Sequence, residues 1–178
     1  MDLWCEDSID LRFADESGFS LQPSIPYGWL PIGQQTKIPT AKTKVMNVFG
    51  LMAADNELMI YETDKTINAE FIKTCLDDFA KDCFKKSKLS VIVWDNATWH
   101  TAKLIKDNIP KWEAQGLFLF QLPVASPHLN KIETLWRKIK YEWLQNKDFL
   151  NYNSLHAALH NIFKTFGQKF NINFTLTY

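Results

Sequence analysis

Ile9, Leu11 and Phe13 alternate with Asp10, Arg12 and Ala14 near the start of the chain. This two-residue period predicts a strand, with Asp15 at its end on the apolar-face parity. Gly18 is expected to bend the chain just after it. The stretch 22–42 contains Pro23, Pro26, Gly28, Pro31, Gly33 and Pro39. Such a stretch excludes a helix or a long strand and predicts an inserted loop, ordered or flexible. KVMNVFGLMA (44–53) and ELMIYET (57–63), separated by Asp55 and Asn56, read as a hairpin.

The pattern then changes to a helical period. Asn68 is placed to cap a helix whose apolar face holds Phe71, Ile72, Cys75, Leu76, Phe79 and Cys83. LSVIVWD (89–95) is almost wholly apolar and predicts a strand buried on both faces that ends at Asp95. A short helix is expected over about 98–108, then a turn opened by Pro110 and ended by Gly116. LFLFQLP (117–123) predicts a further buried strand. From Pro127 a long helix is expected to about Asn146, with Ile132, Leu135, Trp136, Ile139 and Trp143 on one side. A last helix is expected over about 152–166, closed by Gly167. Beyond it Phe170, Ile172, Phe174, Leu176 and Tyr178 alternate strictly, so the tail 168–178 is either an edge strand or a disordered end. No repeat or linker divides residues 1–178, which read as a single domain. Strands and helices in this order predict an α/β fold, a mixed central sheet flanked by helices.

Composition adds exclusions. No run of about 18 apolar residues is present, so no membrane span is expected. The opening MDLWCEDSID is acidic where a signal peptide is basic. Cys5, Cys75 and Cys83 follow no metal-ligand spacing, and a reduced, cytoplasmic chain is the simplest reading. The 20 basic and 20 acidic side chains cancel, which argues against binding DNA by overall charge. Their distribution revises that inference. Residues 1–100 carry 10 basic and 15 acidic side chains, and residues 101–178 carry 10 and 5. Residues 17–54 hold Lys37, Lys42 and Lys44 and no acid. Acids flanked by basic surfaces suit a metal site that handles a polyanion, although a solvated mixed surface has the same composition.

Three acids fall where these elements would converge: Asp15 and Asp95 at strand ends, and Glu133 in the first turn of the long helix. Ligands bind outside strand ends in α/β sheets. Carboxylate-rich sites suit Mg²⁺ or Mn²⁺, and two such ions can activate water and stabilise a leaving oxygen in phosphodiester displacement. Each acid also has a plain structural role open to it. Asp15 or Asp95 can form a turn, and Asn130-x-x-Glu133 has the spacing of a capping box.

FADESGFSL (13–21), YGWLPIG (27–33), NVFGLM (47–52), VWDNATWH (93–100) and LPVASPHLNKIETLWRKIK (122–140) together resemble the catalytic domain of DDE transposases. The branch is the mariner-like superfamily, in particular its bacterial insertion-sequence members. The resemblance spans about residues 9–147 and rests on D-N-x-x-x-H followed by S-P-x-L-N-x-I-E. It implies a ribonuclease-H-like fold, metal-dependent endonuclease and strand-transfer activity, and cut-and-paste movement into TA target sites. It implies Asp15, Asp95 and Glu133 as the ligands of two Mg²⁺ or Mn²⁺ ions. The spacing of 37 residues between Asp95 and Glu133 is toward the long side for the family. His128 and Lys131 replace an acid and a proline common in that motif, and neither is an implied ligand.

The resemblance gives further residues accessory roles. Asn96 would orient Asp95 or a phosphate oxygen. His100 would contact DNA or move a proton, or else cap a helix. Asn130 belongs to the same motif as Glu133. Arg137, Lys138 and Lys140 would face phosphates, although Arg137 is also four residues from Glu133, at ion-pair spacing. The loop 22–42 falls where relatives clamp a partner subunit in a paired-end homodimer, with Tyr27 and Trp29 as contact aromatics; a self-packed loop is the alternative. Family members begin with helix-turn-helix units that read transposon ends. None is seen here, so an upstream frame or separate subunit, a truncation or a decayed copy is expected. The competing functions are an inactive remnant that regulates a full-length relative and another ribonuclease-H-like nuclease.

Overall fold

A computed structural model describes residues 9–22, 44–86, 88–95, 102–124 and 126–173. Its centre is a five-stranded sheet in the order β3-β2-β1-β4-β5. Strand β1 (Ile9–Phe19) pairs antiparallel with β2 (Met46–Ala53), which pairs antiparallel with β3 (Leu58–Thr63). On its other side β1 pairs parallel with β4 (Leu89–Trp94), and β4 with β5 (Leu117–Gln121). The sheet is therefore mixed.

Helices cover both faces. Helix α1 (Ala69–Lys86) begins at Asn68, whose Oδ1 accepts from the Phe71 N–H at 3.0 Å. It buries Ile72, Cys75, Leu76, Phe79, Ala80 and Cys83. With α2 (Lys103–Glu113) it forms one core, together with Ala14, Phe49, Leu51, Ile92 and Trp112. Cys75 and Cys83 are free thiols in this core. The opposite face is covered by α3 (Ile132–Lys138) and α4 (Tyr152–Thr165), which pack on Phe19, Met46, Val48 and Met52. Among the described residues no helix is long and apolar enough to cross a membrane.

Several elements depart from the sequence expectation. Strand β1 runs through Gly18 to Phe19, because Asp15–Phe19 pairs with Met46–Gly50. Asp15 therefore lies inside the strand. Pro110 lies inside α2 and is exposed near its C-terminal end; the backbone bond it removes belongs to the solvent side. Strand β5 is an outer strand, with Phe118 and Phe120 39% and 57% exposed. The long helix is interrupted once and ends early: a 3₁₀ turn at Pro127–Leu129 precedes α3, which runs without a break into a π turn at Ile139–Trp143. The Leu144 N–H donates to the Ile139 carbonyl at 3.1 Å, and the chain then turns extended. The apolar stripe survives the break: Ile132, Leu135, Trp136 and Ile139 are all buried.

The tail is neither an edge strand nor detached over 168–173. Phe166 and Phe170 form an isolated parallel bridge, and Ile172 is buried. Asn56, at positive φ in the β2–β3 turn, holds Ile172 with both ends of its amide. Its Nδ2 donates to the Ile172 carbonyl at 3.1 Å, and its Oδ1 accepts from the Ile172 N–H at 2.6 Å.

Candidate active site

The register of β1 and β4 decides which acids meet. Ile9 lies beside Leu89 and Phe13 beside Val93. Two residues further along the same register, Asp15 is level with Asp95, where β4 has ended and β1 continues. Neighbouring strands lie about 4.8 Å apart. Asp15 has the parity of Phe13 and Phe19, which faces α3 and α4.

On that face Trp136 of α3 donates its indole Nε1–H to Asp15 Oδ2 at 3.0 Å. Gly50 lies across from Asp15 in β2. A Cβ at Gly50 would sit 2.7 and 2.8 Å from Trp136 ring carbons and 3.0 Å from Ile132 Cδ1. Here glycine makes room for the indole that holds Asp15. Asn130 fixes the start of α3 to the same strand: its buried Nδ2 donates to the Ala14 carbonyl at 3.0 Å. This is not the side-chain cap expected from N-x-x-E, since only the Asn130 carbonyl receives the Glu133 N–H, at 3.2 Å. One tie thus sets Glu133, in the first turn of α3, against the residue before Asp15.

Electrostatics record this convergence. Burial, then the charge of Glu133, and also that of Asp95, push the Asp15 carboxyl up to about 7. Glu16 is raised to about 8 by burial, then by Asp15 and Asp95. Its Oε1 is buried with no hydrogen-bond partner. Glu16 is not among the acids singled out from the sequence, although the adjacent acids in ADES are a visible signal. Trp136 was read only as core.

A cleft of about 610 Å³ opens beside Glu133, walled by His128, Asn130, Arg137, Lys140 and Tyr141 among others. Burial pulls the Lys140 ammonium below its ordinary range, opposed by Glu133 and Asp15. Its Nζ lies 5.4 Å from the centre of the Phe19 ring. Arg137 forms no ion pair with Glu133 among the described residues and is exposed. Lys138 is not part of the cleft wall; it pairs with Glu142 at 2.8 Å and lies over Trp143. Lys44 pairs with Asp64 at 3.1 Å. Tyr27, Trp29, Lys37, Lys42, Asn96 and His100 lie outside the described residues.

The donor set fits hard divalent cations. Asp15, Asp95 and Glu133 all offer carboxylate oxygens, the ligand type that Mg²⁺ and Mn²⁺ favour. A buried acid held at about 7 is stabilised as an anion by a nearby cation.

A mixed sheet with helices on both faces and acids at the β1–β4 junction defines a ribonuclease-H-like domain with a carboxylate centre. The chain belongs to the DDE superfamily endonucleases, whose family model matches residues 10–156. Its fold is like that of the Mos1 mariner transposase catalytic domain, with a TM-score of 0.55, 15% identity, and coverage of 89% of this chain and 70% of that one. A Mos1 transposase paired-end complex with the left transposon end aligns with a TM-score of 0.62 at 17% identity over 92% of this chain. Mos1 paired-end complexes with Mn and with Mg have the same fold at TM-scores of 0.62. An uncharacterized protein from Sinorhizobium fredii, y4pE/y4sA, is 34% identical over 68 residues, 37% of this chain. The chain spans 44% of that protein's length and 50% of the Mos1 transposase chain.

Proposed function

We propose that this chain is the catalytic domain of a transposase of the bacterial insertion-sequence branch. It would cut a phosphodiester at a transposon end and join the freed strand to target DNA, by cut-and-paste. One observation carries this reading: Asp15 on β1 lies level with Asp95 at the end of β4, and the Asp15 carboxyl is raised by burial and by the charges of Glu133 and Asp95. A centre of repelling carboxylates costs stability unless it has a cationic task.

In this reading Asp15, Asp95 and Glu133 would hold two Mg²⁺ or Mn²⁺ ions. When bound, the ions supply an activated water and charge stabilisation for the leaving oxygen. The protein's own groups do the positioning. Trp136 fixes the orientation of the Asp15 carboxylate through Oδ2. Asn130 fixes the approach of Glu133. Lys140 and Arg137, in the cleft wall, hold the phosphates on either side of the scissile bond. Hydrolysis breaks the bond to the 3′-oxygen, and the released 3′-hydroxyl then attacks a target phosphorus with loss of the next 3′-oxygen. Pairing of two copies on transposon ends, end recognition by helix-turn-helix units, and action in the bacterial cytoplasm belong to the same proposal.

The test is incubation of the purified chain with a pre-nicked or branched end duplex, with Mn²⁺ or EDTA, beside Asp95→Asn. Metal-dependent cleavage or joining that disappears in the variant is expected. Folded protein without such activity favours an inactive remnant, and cleavage that survives Asp95→Asn removes the assigned centre.

A further inference from the structure

Away from the carboxylate centre, β3 and α4 bring together a second set of ligand-type side chains. Glu62 lies near the end of β3, and His156 and His160 stand one turn apart on α4. Such i, i+4 residues share a helix face. His160 Nε2 is 3.0 Å from Glu62 Oε2 and 3.2 Å from Oε1, and His156 Nε2 is 3.9 Å from that same Oε2. The two imidazoles stack with centroids 4.4 Å apart. One ligand atom from each of the three lies within 4.8 Å of the others.

These distances are close to those of a metal centre. In tetrahedral zinc, with bonds of about 2.0–2.1 Å, ligand atoms stand about 3.3–3.4 Å apart. The two spacings to Glu62, 3.0 and 3.9 Å, bracket that value, and the imidazole nitrogens lie within 4.8 Å of each other, so rotations about side-chain bonds close the set. The three side chains are 40–53% exposed, so an ion reaches them without opening the fold. Lys44, which lines the adjoining cleft, is engaged by Asp64 at 3.1 Å and rests over Tyr152. Two imidazoles with one carboxylate suit Zn²⁺, whereas Mg²⁺ and Mn²⁺ prefer all-oxygen sets such as the one at Asp15.

We propose that Glu62, His156 and His160 form a zinc site that ties the outer strand β3 to α4, with its fourth position open to solvent. This site is separate from the carboxylate centre and does not depend on the function proposed for it. Three protein ligands and an open position describe a centre that takes water or an exogenous ligand as its fourth partner.

The experiment uses the full chain, stripped with a chelator, in an Asp95→Asn background so that the carboxylate centre is weakened. Zn²⁺ is titrated by calorimetry and Co²⁺ by visible absorption. One equivalent of zinc is expected, with the intense cobalt band of four-coordination. Zinc at about a hundred times its Kd is expected to raise Tm by about 5–10 °C. His156→Ala and His160→Ala are expected to weaken zinc binding by about 100-fold or more, beyond the loss caused by removing an outer partner of a ligand. Both side chains are half-exposed, and circular dichroism in EDTA checks that the variants fold. No zinc binding by the folded chain, or equal affinity in the folded histidine variants, overturns the proposal and leaves a plain Glu62–His160 hydrogen bond.

Discussion

Replacing Asp15 with Asn is expected to stabilise the metal-free protein at pH 8. Burial and the neighbouring carboxylates raise the folded-state pKa of Asp15 from 3.8 to about 7. At strongly acid pH both the folded and the unfolded chain hold the proton, and the site costs nothing. As pH rises through about 4 the unfolded chain releases the proton while the folded chain keeps it, so stability falls. The fall continues to about pH 7 and the full cost remains above it. Three units at 1.36 kcal/mol each give an upper bound of about 4 kcal/mol. Water reaches a half-buried carboxyl, so about 2–4 kcal/mol is expected, or roughly 5–15 °C in Tm for a chain of this size. Asn keeps an oxygen that accepts from Trp136 Nε1–H, so the packing partner is retained. Urea and thermal unfolding in EDTA at pH 4 and pH 8 measure the effect. The variant is expected to exceed the parent at pH 8, with the gap shrinking below about 1 kcal/mol at pH 4. Mn²⁺ should then stabilise the parent more than the variant. A folded variant that is equally or less stable at pH 8 refutes the idea that Asp15 is held at an electrostatic cost.

Other substitutions separate the supports of the site. Gly50→Ala drives a methyl into Trp136 and Ile132 and is expected to cost about 1–3 kcal/mol in urea unfolding, with weaker Mn²⁺ binding. Asn130→Ala removes the tie to the Ala14 carbonyl and is expected to cost about 1–3 kcal/mol, measured the same way. Lys140→Ala is expected to lower the salt-dependence slope of DNA binding by about 1, read by fluorescence anisotropy across a salt series. Lys138→Ala, whose charge is already paired with Glu142, is expected to change that slope less.

The element pattern was legible where local periodicity carries it. Strands around Phe13, Phe49 and Ile92 and helices around Leu76 and Leu159 lie where apolar spacing puts them. The errors came from tertiary partners. Strand β1 continues through Gly18 because β2 is there to pair with it, and no local signal reports a partner more than 25 residues away. The long helix shows one unbroken apolar stripe, yet it is interrupted where Asn130 is anchored to β1 and where the π turn ends at Trp143. LFLFQLP reads as buried because Phe118 and Phe120 are apolar; an outer strand leaves them exposed all the same. Asp15, Asp95 and Glu133 stood out because they fall where the expected elements converge and lie in the DDE-like motifs, and Asp95 also because an acid at the end of so apolar a run is unusual. Glu16 and the glycine that admits Trp136 needed the register to be seen. The Glu62–His156–His160 cluster joins segments nearly 100 residues apart, and only the four-residue spacing of its histidines is visible in the sequence.

Titration of Mn²⁺ by calorimetry tests most directly whether the acids of β1, β4 and α3 form one centre. It is best done in a His160→Ala background, so that the cluster on α4 does not contribute. Asp15→Asn, Asp95→Asn and Glu133→Gln, each shown to be folded, are expected to weaken binding by at least about tenfold apiece. The double variant Asp15→Asn/Glu133→Gln should lose less than the sum of the single losses in free energy, because the groups act as a unit. Unchanged Mn²⁺ affinity in any folded single variant contradicts a shared centre.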